Sequence, residues 1–147
     1  MGGWMGLAAK AATASDPGGR QVGALIVGAF GNRLEPGWAG IQSEHGVVAC
    51  PPRLDKPEKY YWSEHAERRA IAAAAAKGWA LEGATIYVTW FPCMDCARMI
   101  VGTRMAELVY GREPDLDDPK FGEDFKRVKD LLTEAKVKFR CEPVEEN

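Results

Sequence analysis

No stretch of the sequence approaches the ~20 consecutive apolar residues that a membrane-crossing helix needs, so no membrane partner is expected. Met1 to Ala14 lacks the basic start and long apolar core of a secretory signal, which makes the cytoplasm the expected location. An excess of one charge is also missing: 19 Lys and Arg stand against 21 Asp and Glu, for a net charge of -2. Proteins that neutralise nucleic-acid phosphates usually carry a basic face. The balance here argues against a nucleic-acid partner and for a small-molecule substrate. Cysteine is sparse, at Cys50, Cys93, Cys96 and Cys141, which points away from a disulfide framework. Histidine is sparser still, at His45 and His65. No internal repeat interrupts residues 1–147, a length that fits one domain with a full core.

What chemistry the chain carries is concentrated in two short stretches, His65-Ala66-Glu67 and Pro92-Cys93-Met94-Asp95-Cys96. Together they offer one imidazole, two thiolates and a spare carboxylate. Three protein ligands leave one position of a tetrahedral zinc ion open, as in a catalytic site; a structural site closes all four. Cys93 and Cys96, three residues apart, share one face of a helix. Cys93 opens that helix, where unpaired N–H groups and the dipole favour thiolate over thiol. Pro92 suits the preceding position, since its missing N–H costs little there. Zinc held by one His and two thiolates acidifies its water less than a three-His site does. A base beside it then matters more, and Glu67 fits that need. Each motif alone leaves other readings open: a C-x-x-C can be redox-active or half of a structural zinc ribbon, and His-x-Glu by itself says almost nothing.

Patterning places these motifs. Residues 4–14 read as a helix with small residues on its packing face, and Gln21 to Gly28 as a buried strand. A second strand is expected around Trp38 and Ile41, and a loop from Pro51 to Pro57. Ser63 is the expected N-cap of an alanine-rich helix from Glu64 to Lys77, closed by Gly78. Ala84 to Trp90 reads as a strand, Cys93 to Gly102 as a helix and Leu108 to Tyr110 as a strand. Phe121 to Ala135 is an amphipathic helix, Val137 to Phe139 a last strand, and Glu142 to Asn147 a frayed acidic tail. The expected architecture is α/β, a three-layer α/β/α sandwich on a mixed five-stranded sheet. The helix before the last strand is a crossover, so the last two strands should be parallel.

A His-x-Glu that opens one helix, a strand, and then a Pro-Cys-x-x-Cys that opens the next helix resembles the zinc-dependent cytidine and deoxycytidylate deaminase superfamily. The likeness is greatest to the deoxycytidylate deaminase branch. It runs through Arg20-Gln21-Val22-Gly23-Ala24-Leu25-Ile26-Val27, Ser63-Glu64-His65-Ala66-Glu67 with Ala70-Ile71, and Tyr87 to Ala97. The resemblance implies a cytidine deaminase-like fold, with His65, Cys93 and Cys96 as ligands to Zn2+ and Glu67 as proton shuttle. It implies hydrolytic replacement of a ring amino group by a carbonyl, with release of ammonia. The Ala66 N–H would hold the ring carbonyl of a cytosine-type nucleotide. A homo-oligomer, dimer or larger, is expected on the same basis.

One stretch departs from the branch. The Gly-aromatic-Asn-Gly turn whose Asn contacts the substrate sugar is matched here by Gly37-Trp38-Ala39-Gly40. Ala39 cannot make that hydrogen bond, which keeps a free base, a nucleoside or another small amino-heterocycle open as substrate. Trp90 and Phe91 are candidates to wall a base, with core or rim packing an equal reading, and Trp38 is a candidate to stack on the substrate, with a turn-flanking core aromatic the plainer reading. Arg20, Arg68, Arg69, Arg104 and Arg112 are candidates for phosphate contact, most of them expected in ion pairs or on the solvated face. His45 reads as an exposed loop residue, and Cys50 and Cys141 as small buried ones. Tyr60-Tyr61-Trp62 leads into the His65 helix, as a brace or an oligomer contact.

Overall fold

The computed structural model describes residues 3–16, 20–28, 41–44, 46–47 and 53–144. The expectations for Trp38, Ala39, His45 and Cys50 lie outside the described residues.

Five strands form one sheet: β1 (Gly23–Val27), β2 (Ile41–Glu44), β5 (Thr85–Val88), β6 (Glu107–Tyr110) and β7 (Lys138–Cys141), in the order β2-β1-β5-β6-β7. β1 runs antiparallel to both its neighbours, and β5, β6 and β7 are mutually parallel. The parallel pairs follow from their connections. The helices α4 (Met94–Gly102) and α5 (Gly122–Glu134) each carry the chain back across the sheet before the next strand begins.

Alternation along the strands separates two apolar layers. Ala24, Ile26, Ile86, Val88, Leu108 and Tyr110 face α3 (Ala66–Ala76), α4 and α5. Leu25, Tyr87 and Val109 face the opposite way, onto Met5 and Ala8 of α1 (Gly3–Ala12). This is the expected three-layer sandwich. Ala66, Ala70 and Ala74 of α3 are fully buried; with only methyl groups on that face the helix axis comes close to the sheet, and its N-terminus sits above the strand ends.

The stretch leading into α3 differs from expectation. Residues 53–57 precede a short helix, α2 (Glu58–Trp62), which buries none of its side chains. Ser63 does not cap α3. It ends α2 instead, with both its N–H and its hydroxyl donating to the Lys59 carbonyl, the latter at 2.5 Å. Ser63 and Glu64 then form β4, paired antiparallel to β3 (Gly46–Val47). The helix starts two residues later than a Ser63 cap would place it, with His65 in extended conformation at its N-cap. A hydroxyl already spent on the preceding turn cannot also cap the next one. At the C-terminal end, the N–H groups of Glu142 and Val144 donate to the carbonyls of Tyr110 and Gly111, which fastens the chain as far as Val144.

Candidate active site

Two helix N-termini meet over the sheet. His65 is the N-cap of α3 and Glu67 lies in its first turn; Cys93 is the N-cap of α4 and Cys96 lies in its first turn. The His65 Nδ1 is 3.5 Å from Cys93 Sγ and 3.4 Å from Cys96 Sγ. All three donor atoms lie within 4.8 Å of one another. Around a tetrahedral zinc with its usual bond lengths, an imidazole nitrogen and a thiolate sulfur stand about 3.6 Å apart. The donor set therefore fits zinc in kind and in spacing, and among the described residues it holds three donors, one short of a tetrahedral set.

The charges are arranged to match. The Cys93 thiol is pulled down to about 4, chiefly because the Cys96 thiol donates to it; burial opposes this, and the His65 ring and the Cys96 N–H reinforce it. Cys96, which supplies that proton, is pushed up for the same reason and by burial. His65 is raised above its usual 6.5, first by its hydrogen bond to Cys93. The cluster thus holds one thiolate ready and one proton shared.

Glu67 is 4% exposed and is the one buried carboxylate among the described residues. Burial raises its pKa, against the pull of its own N–H and of His65, and its side chain hydrogen-bonds Cys96. A carboxyl whose neutral form is favoured in this way is suited to take and return a proton. Arg68 ties the two helix starts together. It holds Glu64 at 2.5 Å and 2.8 Å and reaches Asp95, between the two cysteines, at 3.6 Å.

A cavity of about 520 Å³ opens over this cluster, and His65, Ala66, Glu67, Cys93, Trp90 and Phe91 all line it. Trp90 and Phe91 divide the two roles open to them. Phe91 is 5% exposed and stacks edge-on against Tyr110 and Phe125, so it is core as well as wall. Trp90 stands at the rim, its indole N–H donating to the Gln21 carbonyl, with Arg20 over its ring at 4.0 Å and Arg112 at 4.6 Å. Of the arginines considered for phosphate contact, Arg20 and Arg68 line the cavity. Arg69 is bound to Glu44 and Arg104 pairs with Glu82. Lys59, on α2, also lines the cavity and was not singled out by the sequence pattern; nothing in a run of charged and aromatic residues marks it. Ser43 was missed as well. Its buried hydroxyl donates to the Ala66 carbonyl, a link between segments far apart in sequence that no local motif announces. Cys141 is half-buried at the end of β7.

Residues 3–112 match the family model described as the cytidine and deoxycytidylate deaminase zinc-binding region. An uncharacterized deaminase in the luxG 3′ region of Aliivibrio fischeri is 31% identical over 126 residues, 85% of this chain and 81% of that protein. The chain belongs to the cytidine and deoxycytidylate deaminase zinc-binding family. The deoxycytidylate deaminase of Enterobacteria phage T2 is 47% identical over 55 residues, which are 37% of this chain and only 29% of the phage protein. The fold is shared with the dCMP deaminase of cyanophage S-TIM5, solved in complex with dCMP and dUMP. That likeness has a TM-score of 0.74 and 20% identity, and covers 95% of this chain and 93% of the other. Among the described residues, no helix is long and apolar enough to cross a membrane.

Proposed function

We propose that this chain is a single-domain, zinc-dependent hydrolytic deaminase acting on a cytosine-type nucleotide, as a homo-oligomer in the cytoplasm. His65, Cys93 and Cys96 would hold the zinc, and Glu67 would carry the proton. One observation bears most of the weight: a buried carboxylate stands beside a three-donor cluster, and Glu67, His65 and Cys93 all line one cavity. When bound there, zinc supplies a Lewis acid that lowers the pKa of water. The chain's own residues do the rest. Glu67, its carboxyl raised by burial, accepts the proton of the attacking water and delivers it to the ring nitrogen beside the amino-bearing carbon. It then moves a proton to the departing ammonia. The Ala66 N–H orients the ring through its carbonyl, and Trp90 and Phe91 wall the base. Arg20 and Lys59 at the cavity support a substrate that carries a phosphate.

Ala39 favours a second reading, in which the same chemistry acts on a free base, a nucleoside or another small amino-heterocycle, since the sugar-contacting Asn of the branch is missing. Ammonia release from dCMP, deoxycytidine, cytosine and guanine separates the two. Turnover of dCMP above the others is the expected result. Release from a base or nucleoside with none from dCMP overturns the nucleotide reading, and no release from any member of a broader amino-heterocycle panel overturns the deaminase reading.

A further inference from the structure

The first N–H of α4 does not go to water. Met94 N donates to Asp124 Oδ2 at 3.1 Å, thirty residues on in sequence and in the first turn of α5. Met94 lies between the helix-capping Cys93 and the rest of the turn that carries Cys96. Cys93 itself gives α4 no side-chain cap hydrogen bond, so Asp124 takes over part of that task from another helix. Its surroundings are packed: α5 lies against α4, and Phe125, next in sequence, is buried edge-on against Phe91, two residues before Cys93. Asp124 therefore joins α5, the aromatic core and the cysteine turn at one point.

Electrostatics alone would not place a carboxylate here. A negative charge this near two thiolates opposes their ionisation and competes with them for the positive end of the α4 dipole. What the carboxylate supplies is a fixed acceptor for a main-chain N–H that a helix start otherwise leaves unpaired. We propose that Asp124 is a positioning residue for the metal site: by holding the Met94 N–H it fixes the turn that aims Cys93 Sγ and Cys96 Sγ at His65. This rests on the reading of those three residues as zinc ligands and does not depend on which substrate is used. The role belongs to the acceptor's position, so a neutral acceptor in the same place should serve, and a displaced or missing one should not.

The test is zinc affinity, measured by competition with a chromophoric chelator. It is paired with the thiolate-to-metal charge-transfer band of the cobalt-substituted protein and with thermal unfolding of the metal-free form. Asp124→Ala should weaken zinc binding about 10- to 100-fold, the range for residues that orient metal ligands, and should shift and weaken the cobalt band. Asp124→Asn, which keeps an acceptor at the same reach, should stay within about threefold of wild type. Asp124→Glu keeps the charge but moves the oxygen by one methylene. It should lose affinity like the alanine variant, and it carries the test if that variant does not fold. Wild-type affinity and an unchanged band in Asp124→Glu, or in a folded Asp124→Ala, overturn the proposal. So does an Asn variant as weak as the alanine one, since the charge would then be the cause. A purely structural role would lower the melting temperature of the metal-free protein and leave the affinity alone. If the wild-type protein itself binds no zinc through His65, Cys93 and Cys96, it is the metal-site reading that fails.

Discussion

The hydroxyl of Ser43, on the edge strand β2, donates to the main-chain carbonyl of Ala66, the residue between His65 and Glu67. Both residues are buried. The next residue of the strand, Glu44, receives Arg69 of the same helix at its carbonyl, at 2.7 Å, and at its carboxylate, at 3.3 Å. The edge strand thus grips the first turn of α3 twice. Ser43→Ala removes one grip. It should cost about 1 kcal/mol, the usual net worth of a hydrogen bond, and lower the melting temperature by roughly 2–4 °C. Zinc content should be unchanged, because the His65 N–H is held separately by Glu64 at 2.9 Å. Turnover should fall about tenfold as Glu67 loses its fixed aim. Measuring metal content, melting and turnover together checks this; a variant with lower zinc but full turnover per bound zinc would show that the link serves the metal and not Glu67.

Glu67 lies beside the His65, Cys93 and Cys96 donor group without belonging to it. Glu67→Gln keeps its shape and removes its proton chemistry. Zinc binding and fold should survive, and turnover should drop by roughly 10²- to 10⁴-fold, the span of general acid–base assistance. The fold has no reason to suffer, since burial works against the charged form of this carboxyl in the first place. Loss of zinc in parallel with turnover would identify Glu67 as a ligand and remove it from the role of proton carrier.

Zinc uptake by the metal-free protein should release protons in a pattern set by the three ligands. Zinc requires two thiolates and a neutral imidazole. Cys93, pulled down to about 4, is already ionised at neutral pH. Cys96 is pushed up and must give up its proton. His65 is raised above its usual 6.5 and still carries a proton in mildly acidic solution. Release should therefore approach two protons per zinc in mildly acidic solution and fall toward one once the pH has risen past the titration of the imidazolium. Calorimetry in buffers of different ionisation enthalpy reads this number. A release that stays near two after the imidazole has been shown by NMR to be neutral would mean that Cys93 and Cys96 are both thiols before binding.

Much of this was legible in the sequence because it is local. The two helix-opening motifs, the alternation in β5 and the crossover before β7 each depend on residues a few positions apart. The pairing of Cys93 with Cys96 is local, at helical spacing, and the structure brings His65 beside them in a group that could hold a metal ion. What escaped was decided elsewhere. Ser63 looks like a helix cap until the Lys59 carbonyl claims its hydroxyl, and α2, which buries none of its side chains, shows no apolar periodicity. The contacts Ser43–Ala66, Arg68–Asp95 and Met94–Asp124 join distant segments, and each uses a polar residue that would look ordinary on any surface.

The glycine at the head of β1 shows how tightly the far face is closed. A Cβ built on Gly23 would stand 2.1 Å from the Ala8 carbonyl oxygen and 2.5 Å from the Ala12 nitrogen, both in the backbone of α1. Gly23 cannot retreat, because its N–H donates to Thr89 Oγ1 at 3.1 Å and its carbonyl accepts the Thr89 N–H at 3.1 Å. Gly23→Ala must therefore push α1 off the sheet. Overpacking of this kind costs roughly 1–3 kcal/mol or more, so the melting temperature should fall by several degrees, at roughly 2–4 °C per kcal/mol. Adding Ala8→Gly should not restore it, since the obstacle is the main chain of α1 and not the methyl group of Ala8. Rescue by that second change would relocate the clash to the side chain. Zinc affinity of the folded fraction should hold, because the donor group lies on the opposite face, at the N-termini of α3 and α4.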